Sequence, residues 1–232
     1  MLILILCVYC ERPRMIRNAL ESVRDQTDPN WHLAFIDDGS RVPGEPIVRE
    51  ILGDDPRVTF YRCDDDAAQK DRQKGSRHGA YMNIAIRECP GDVVVVLCDD
   101  DALHPELVAN LRRWFSENEN GWGYGHLYEF DPWHEKPGQI VRESANQNRH
   151  TEPVDPVCRL DSTQVCYRPD PIRAGPQGYP ELGTGALDAS IFQQLLPLYG
   201  KVPYMGFVTQ YKGVYPDQMG KRDALHHPKD IP

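Results

Sequence analysis

A chain of 232 residues with 40% apolar side chains can bury a core without staples, so its stability requires no oligomer. The net charge of -9, from 35 acidic and 26 basic residues, argues against a protein whose main task is to grip a polyanion, though it leaves room for a local basic groove. Seven cysteines (Cys7, Cys10, Cys63, Cys89, Cys98, Cys158, Cys166) form an odd, scattered set that fits neither a disulfide framework nor a four-ligand zinc site. They read as free thiols of a reducing cytoplasm.

The run Leu2 to Tyr9 reads as the first core strand. Its apolar start lacks the basic residues and cleavage site of a leader and is too short to span a bilayer. Cys7 and Cys10 make a C-x-x-C, but on an extended strand positions i and i+3 face opposite sides, so chelation by both would need a turn. Pro13 opens a helix whose Ile16, Ala19, Leu20 and Val23 form one apolar face. His32 to Ile36 is a second strand, Val48 to Leu52 a short helix and Arg57 to Tyr61 a third strand. A polar loop from Asp64 to Gly75 precedes a helix carrying Tyr81, Ile84 and Ala85. Asp92 to Cys98 is the fourth strand, and Leu107, Leu111, Trp114 and Phe115 stripe a helix that starts near His104. Strands alternating with helices of this length predict a largely parallel sheet covered on both faces.

After Gly121 the pattern changes. Gly123 to Phe130 reads as a strand, while Asp131 to Pro156 has no period and is long enough to be a functional loop. Thr163 to Tyr167 reads as a strand, Leu187 to Leu196 as a helix and Val202 to Tyr211 as a broken strand pair. The polar tail from Gly213 to Pro232 completes a chain without internal repeats or an independent second domain.

The chemistry gathers at strand ends. Asp99, Asp100 and Asp101 follow the fourth strand directly, and Asp37 and Asp38 end the second, so a parallel sheet brings both groups to one edge, where open α/β sheets bind ligands. Such an edge repels an anion unless the anion arrives with a metal ion, and an oxygen donor set suits Mg²⁺ or Mn²⁺. Asp38 needs no metal to accept a hydrogen bond from a nucleobase or ribose. The alternatives are a solvated acidic cap for the aspartate triplet and a plain turn for Asp37-Asp38-Gly39-Ser40.

Three ordered segments, Cys7-Val8-Tyr9-Cys10-Glu11-Arg12, Ala19 to Thr27 and Phe35 to Ser40, resemble the amino-terminal half of the family 2 inverting glycosyltransferases. Gly79 to Ile86, Gly91-Asp92 and the aspartate triplet continue the resemblance in order and spacing, over roughly residues 1 to 115. It implies an α/β, GT-A (nucleotide-diphospho-sugar transferase) fold with a mostly parallel central sheet flanked by helices. One catalytic domain would cover 1–232, with a nucleotide-sugar half (1–115), an acceptor half (116–212) and a tail or lid (213–232). Carried onto this chain, the resemblance implies that Val8, Tyr9 and Glu11 line the nucleotide pocket and that Asp38 reads the base, usually uracil. Asp99 and Asp101 take the outer places of the D-x-D motif, Asp101 as main metal ligand and Asp99 toward ribose or metal, with Asp100 in the same nucleotide-sugar site. Arg77 and Asn83 would border the sugar-diphosphate, unless Arg77 is a solvated helix start and Asn83 a core amide.

The second half resembles the family less closely. Leu160 to Arg168 is similar to the segment before the acceptor site in some members, and Asp188 stands in a Glu-Asp position where this chain has Leu187 in place of the glutamate. Asp188 is the expected general base, with Glu181 its rival and a helix-dipole aspartate the structural alternative. His226 or His227 can supply a lid imidazole to metal or phosphate, or be surface, and Tyr211, Lys212 and Lys221 can reach the diphosphate from the same lid. Trp122, Tyr128, Trp133 and Tyr179 are available for stacking or for the core. The resulting expectation is a cytoplasmic enzyme that uses Mn²⁺ or Mg²⁺ to move a sugar from a nucleotide-sugar, a UDP-sugar in the first place, to an acceptor hydroxyl with inversion. The acceptor is a glycan, metabolite, protein or modified nucleic-acid base; without a membrane segment a lipid-linked acceptor is disfavoured. A nucleotidyltransferase would carry a glycine-rich basic loop where this chain has Cys10-Glu11-Arg12-Pro13, and a non-catalytic nucleotide-sugar binding module is the other alternative.

Overall fold

The structure, a computed structural model, describes residues 1–63, 78–131, 135–139, 142–143, 152–157, 160–180 and 187–214; for 142, 143, 187 and 188 it describes the backbone alone. Strand β1 (Ile3–Tyr9) lies between β2 (Trp31–Asp37) and β4 (Val93–Cys98), parallel to both, and β3 (Val58–Arg62) extends the parallel set beyond β2. The sheet continues from β4 through β8 (Val165–Tyr167), β6 (Trp122–Phe130) and β9 (Tyr204–Gly213) to the two-residue β5 (Ala102–Leu103), with β7 (Arg142–Glu143) paired to β6. The expected parallel order therefore holds for the amino-terminal half. In the second half β8 runs antiparallel to β4 and to β6, β9 runs parallel to β6, and β5 runs antiparallel to β9.

Alternation along the strands divides the core into two layers. Ile3, Ile5, Cys7 and Tyr9 of β1 point with Leu33, Phe35, Val95 and Leu97 toward α1 (Ile16–Arg24), α2 (Glu45–Leu52) and α4 (Leu107–Glu117). Leu4, Leu6 and Val8 point with Ala34, Ile36, Val94 and Val96 to the opposite face, where α3 (His78–Glu88) and α6 (Leu187–Tyr199) pack. A strand buried on both sides reads as a continuous apolar run, which is why β1 and β4 are so plain in the sequence. The four apolar positions expected for α1 are all buried.

Several elements differ from expectation for local reasons. The buried stripe of α3 is Met82, Ala85 and Ile86, while Ile84 faces solvent. Thr163 and Gln164 belong to a short 3-10 helix (Ser162–Gln164): the Asp161 carboxylate accepts from the Thr163 N–H, and the Gln164 side chain accepts from the Asp161 N–H. The expected broken strand pair is the single strand β9, with Gly206 at φ 84 and only Val202 in a separate bridge. The helix expected near His104 begins at Leu107, because Ala102 and Leu103 first pair with β9. A further helix, α5 (Asp170–Ala174), was not expected. The polar loop 64–75 lies outside the described residues.

The join from α3 into β4 passes so close to β1 that a Cβ on Gly91 would meet the Leu4 Cβ at 2.5 Å and its backbone N at 3.0 Å. Backbone cannot swing aside as a flexible side chain can. Gly91→Ala should therefore cost about 1–3 kcal/mol of folding stability, read from urea denaturation midpoints.

Candidate functional site

The carboxyl ends of β1, β2 and β4 meet at one edge, as the parallel register requires: Tyr9 lies beside Asp37 and Val8 beside both Ile36 and Cys98. Parity then separates the two aspartates after β2. Asp37 shares the face of Phe35 and organises the turn, its carboxylate accepting from Ser40 N (2.7 Å), Gly44 N (3.0 Å) and Arg62 Nη1 (2.9 Å). Gly39 supplies the left-handed backbone (φ 66) that this turn needs. Asp38 shares the face of Ile36 and looks toward the start of α3, where its Oδ2 lies 3.8 Å from His78 Nδ1 and 3.9 Å from Cys10 Sγ.

After β4 the three aspartates take three different roles. Asp99 is buried and uses both oxygens within the protein: Oδ2 accepts from Cys10 N at 2.7 Å and Oδ1 from Arg12 Nη1 at 2.6 Å. Arg12 also lies 3.1 Å from Asp100. Asp101 accepts from Gly213 N at 2.9 Å through Oδ1, while its Oδ2 is buried without a hydrogen-bond partner. Oxygen atoms of Asp100 and Asp101 and the Cys98 sulfur lie within 4.8 Å of one another. The donor atoms that lie together are thus those of Asp100 and Asp101, while Asp99 bonds to Cys10 and Arg12 just past β1. The orphaned Asp101 oxygen and its carboxylate neighbour fit a hard divalent cation.

Electrostatics follow from burial. Loss of water pushes Asp101 up to about 8, with Asp100 and Asp161 adding to the effect and Lys212 opposing it. Burial likewise raises Asp99 to about 6 against the pull of Arg12. Lys212 Nζ pairs with Asp161 Oδ2 at 2.6 Å. Burial disfavours the Lys212 ammonium, but Asp101 and Asp161 outweigh it and hold its pKa well above the usual lysine value. Burial pushes the Cys98 thiol well up, so it stays protonated.

Other expected residues sort as follows. Val8 is buried on the α3 side of the sheet. The Tyr9 side chain lies in the opposite layer: its ring packs on Phe35, and its hydroxyl donates to Val42 O at 3.0 Å. Only its backbone reaches the edge, where Tyr9 O accepts from Asp38 N. Glu11 holds a left-handed backbone (φ 59), and its carboxylate accepts from the Arg41 backbone and guanidinium. For Asn83 the core-amide alternative describes what is seen: its amide exchanges two 2.8 Å hydrogen bonds with the backbone of Tyr179 and acts as a buried clamp. Trp122 and Tyr179 are core residues; Tyr128 packs beside Tyr211, and Tyr211 stacks on His104. Lys212 sits in β9 as the partner of Asp161. Asp188 is the second residue of α6, with only its backbone described. Arg77, Trp133, Glu181, Lys221, His226 and His227 lie outside the described residues.

Arg12 and Asp161 were not read as site residues. The signal for Arg12 is present in the sequence: it is the first cation beyond a central strand whose neighbour ends in three acids. Asp161 had no such signal, because its link to Lys212 spans 51 positions.

The sequence model of glycosyl transferase family 2 matches residues 3–158, well over half of the chain. The chain belongs to glycosyl transferase family 2. Protein CgeD of Bacillus subtilis (strain 168) is 31% identical over 105 residues, which make up 45% of this family 2 chain and 24% of CgeD. S. aureus TarS 1-349 in complex with UDP matches with a TM-score of 0.72 at 15% identity, over 94% of this chain and 62% of that one. The mannosyltransferase PcManGT of Pyrobaculum calidifontis, in complex with GDP-Man and Mn²⁺, matches with a TM-score of 0.64 at 15% identity, over 92% of this chain and 57% of that one. The chain thus spans about a quarter of CgeD and about 60% of the TarS fragment, and it has the GT-A fold. Among the described residues no helix is long and apolar enough to cross a membrane.

Two predictions follow from these contacts. Asp101 has a higher pKa folded (about 8) than an ordinary carboxylate (about 3.9), so between those values the folded state holds a proton that the unfolded state has lost. Stability in a chelating buffer should fall as pH rises from about 4 to 8, Asp99 contributing below about 6, and Asp101→Asn should flatten the part of the slope between about 6 and 8 in urea titrations across pH. Asp161, whose pKa Lys212 depresses, titrates below this window. Asn83→Ala should cost about 1–3 kcal/mol for each buried Tyr179 backbone group left unpaired, read from urea denaturation midpoints.

Proposed function

We propose that this chain is a metal-assisted, inverting glycosyltransferase whose donor is a nucleotide-diphosphosugar, most closely of the UDP-sugar class. The observation that carries the reading is the buried, unpartnered Asp101 Oδ2 beside Asp100 at the end of β4, on the edge where Asp38 ends β2. Family membership supports sugar transfer as the reaction class, and the complexes of similar folds with UDP and with GDP-Man and Mn²⁺ support the donor class.

In this reading Asp38 accepts an N–H of the base, from a site floored by Val8 and walled by the backbone from Tyr9 to Glu11. Asp99, fixed by Cys10 N–H and Arg12, faces the ribose as a preorganised acceptor. Asp101 and Asp100 hold the divalent ion, Mn²⁺ or Mg²⁺, which when bound neutralises charge growing on the departing diphosphate. Arg12 offsets the remaining carboxylate charge at the same turn. Asp188, in the first turn of α6, takes the proton of the acceptor hydroxyl as it attacks the anomeric carbon from the face opposite the diphosphate. Attack in line with the departing group inverts that centre.

Titration calorimetry with UDP, GDP and dTDP, with and without Mn²⁺, tests the donor half. UDP should bind in a metal-dependent manner, and Asp101→Ala should abolish that dependence; binding indifferent to both sinks the reading. Asp188→Asn should leave UDP binding intact and lower transfer from a UDP-sugar by about 10²- to 10⁴-fold. Unchanged turnover would remove Asp188 as the base.

A further inference from the structure

A second cluster of donor atoms lies on the α3 side of the same sheet edge. Strand parity brings Cys10, two residues past Val8, and Asp38, two residues past Ile36, to the face that packs against α3, and His78 is the first residue of that helix. The Cys10 sulfur, an Asp38 oxygen and a His78 nitrogen all lie within 4.8 Å of one another. His78 Nδ1 is buried and has no hydrogen-bond partner among the described residues, with Asp38 Oδ2 at 3.8 Å, too long for a hydrogen bond.

We infer that Cys10, Asp38 and His78 form a three-ligand site for a soft divalent transition ion, Zn²⁺ by donor type, separate from the Asp100–Asp101 pair. One thiolate, one imidazole and one carboxylate suit Zn²⁺ and disfavour Mg²⁺, which takes oxygen ligands. Tetrahedral zinc with bonds of roughly 2.0–2.3 Å separates such donors by about 3.3–3.6 Å. The 3.8 and 3.9 Å from Asp38 Oδ2 to the other two donors are within about 0.6 Å of these separations, and the Cys10–His78 pair lies within 4.8 Å. Binding replaces the Cys10 proton, which leaves to solvent, and the charges of thiolate and carboxylate then balance the ion. Three protein ligands leave a fourth position for water or an incoming ligand. The buried imidazole nitrogen, costly to leave unpaired, gains the partner it lacks. The nearby Cys98, Asp100 and Asp101 group is of harder character, with two carboxylates and a thiol held protonated by burial.

Co²⁺, a spectroscopic substitute for Zn²⁺, tests the site on the 232-residue chain without nucleotide, so the result does not depend on whether Asp38 reads a base. The expected result is a thiolate-to-cobalt charge-transfer absorption with tetrahedral visible bands that saturates with added Co²⁺ and is bleached by Zn²⁺. Cys10→Ser and His78→Gln should each lose the charge-transfer band or weaken Co²⁺ binding at least tenfold, and Cys98→Ser should keep both. Circular dichroism melts verify that each variant is folded; should Cys10→Ser fail to fold, His78→Gln carries the same comparison. No charge-transfer band in the wild type, or one that survives in Cys10→Ser or depends on Cys98, overturns the proposal.

Discussion

A parallel strand covered on both faces has one place for polar atoms, its carboxyl end, and the arrangement of this molecule follows from that constraint. β1 is buried along its whole length and lies between β2 and β4, so three strand ends converge without any long-range instruction beyond backbone pairing. Side-chain alternation then divides the converging acids. Asp37 turns to the α2 side and builds a loop, whereas Asp38 turns to the α3 side, beside His78 and Cys10.

Gathering five carboxylates at one edge is tolerable only with cations in place. Arg62 takes Asp37, Arg12 takes Asp99 and Asp100, and Lys212 lies between Asp161 and Asp101. This leaves one buried Asp101 oxygen without a partner, and its raised pKa expresses the same deficit in another measurable form. A low-dielectric setting makes such a group expensive while empty and effective once paired.

Much of this was legible in the chain because burial on both faces writes a strand as an unbroken apolar run, as in Val93 to Leu97. Helix α1 was equally plain, since its four buried residues follow one face. Legibility failed where a contact depends on distant sequence. Tyr9 stands next to the pocket in sequence yet belongs to the opposite core layer, and Asn83 spends its amide on Tyr179, 96 positions away. The short 3-10 helix at Ser162 was lost to its β-forming neighbours, because a capping box of two side-chain bonds outweighed local strand propensity. Pairings of one or two residues, such as β5 and β7, offer no period to read.

The bond from Gly213 N to Asp101 ties the acidic turn to a residue 112 positions later. On a ribosome, β1 to β4 can pair among themselves while β9 is still unmade, because all four are complete by Cys98 and β9 begins only at Tyr204. Until β9 emerges, Asp101 has neither its backbone donor nor the Lys212 charge. The acidic edge is thus set early and completed last, so maturation of the site is timed by synthesis of the distal strand rather than by formation of the half that bears its aspartates.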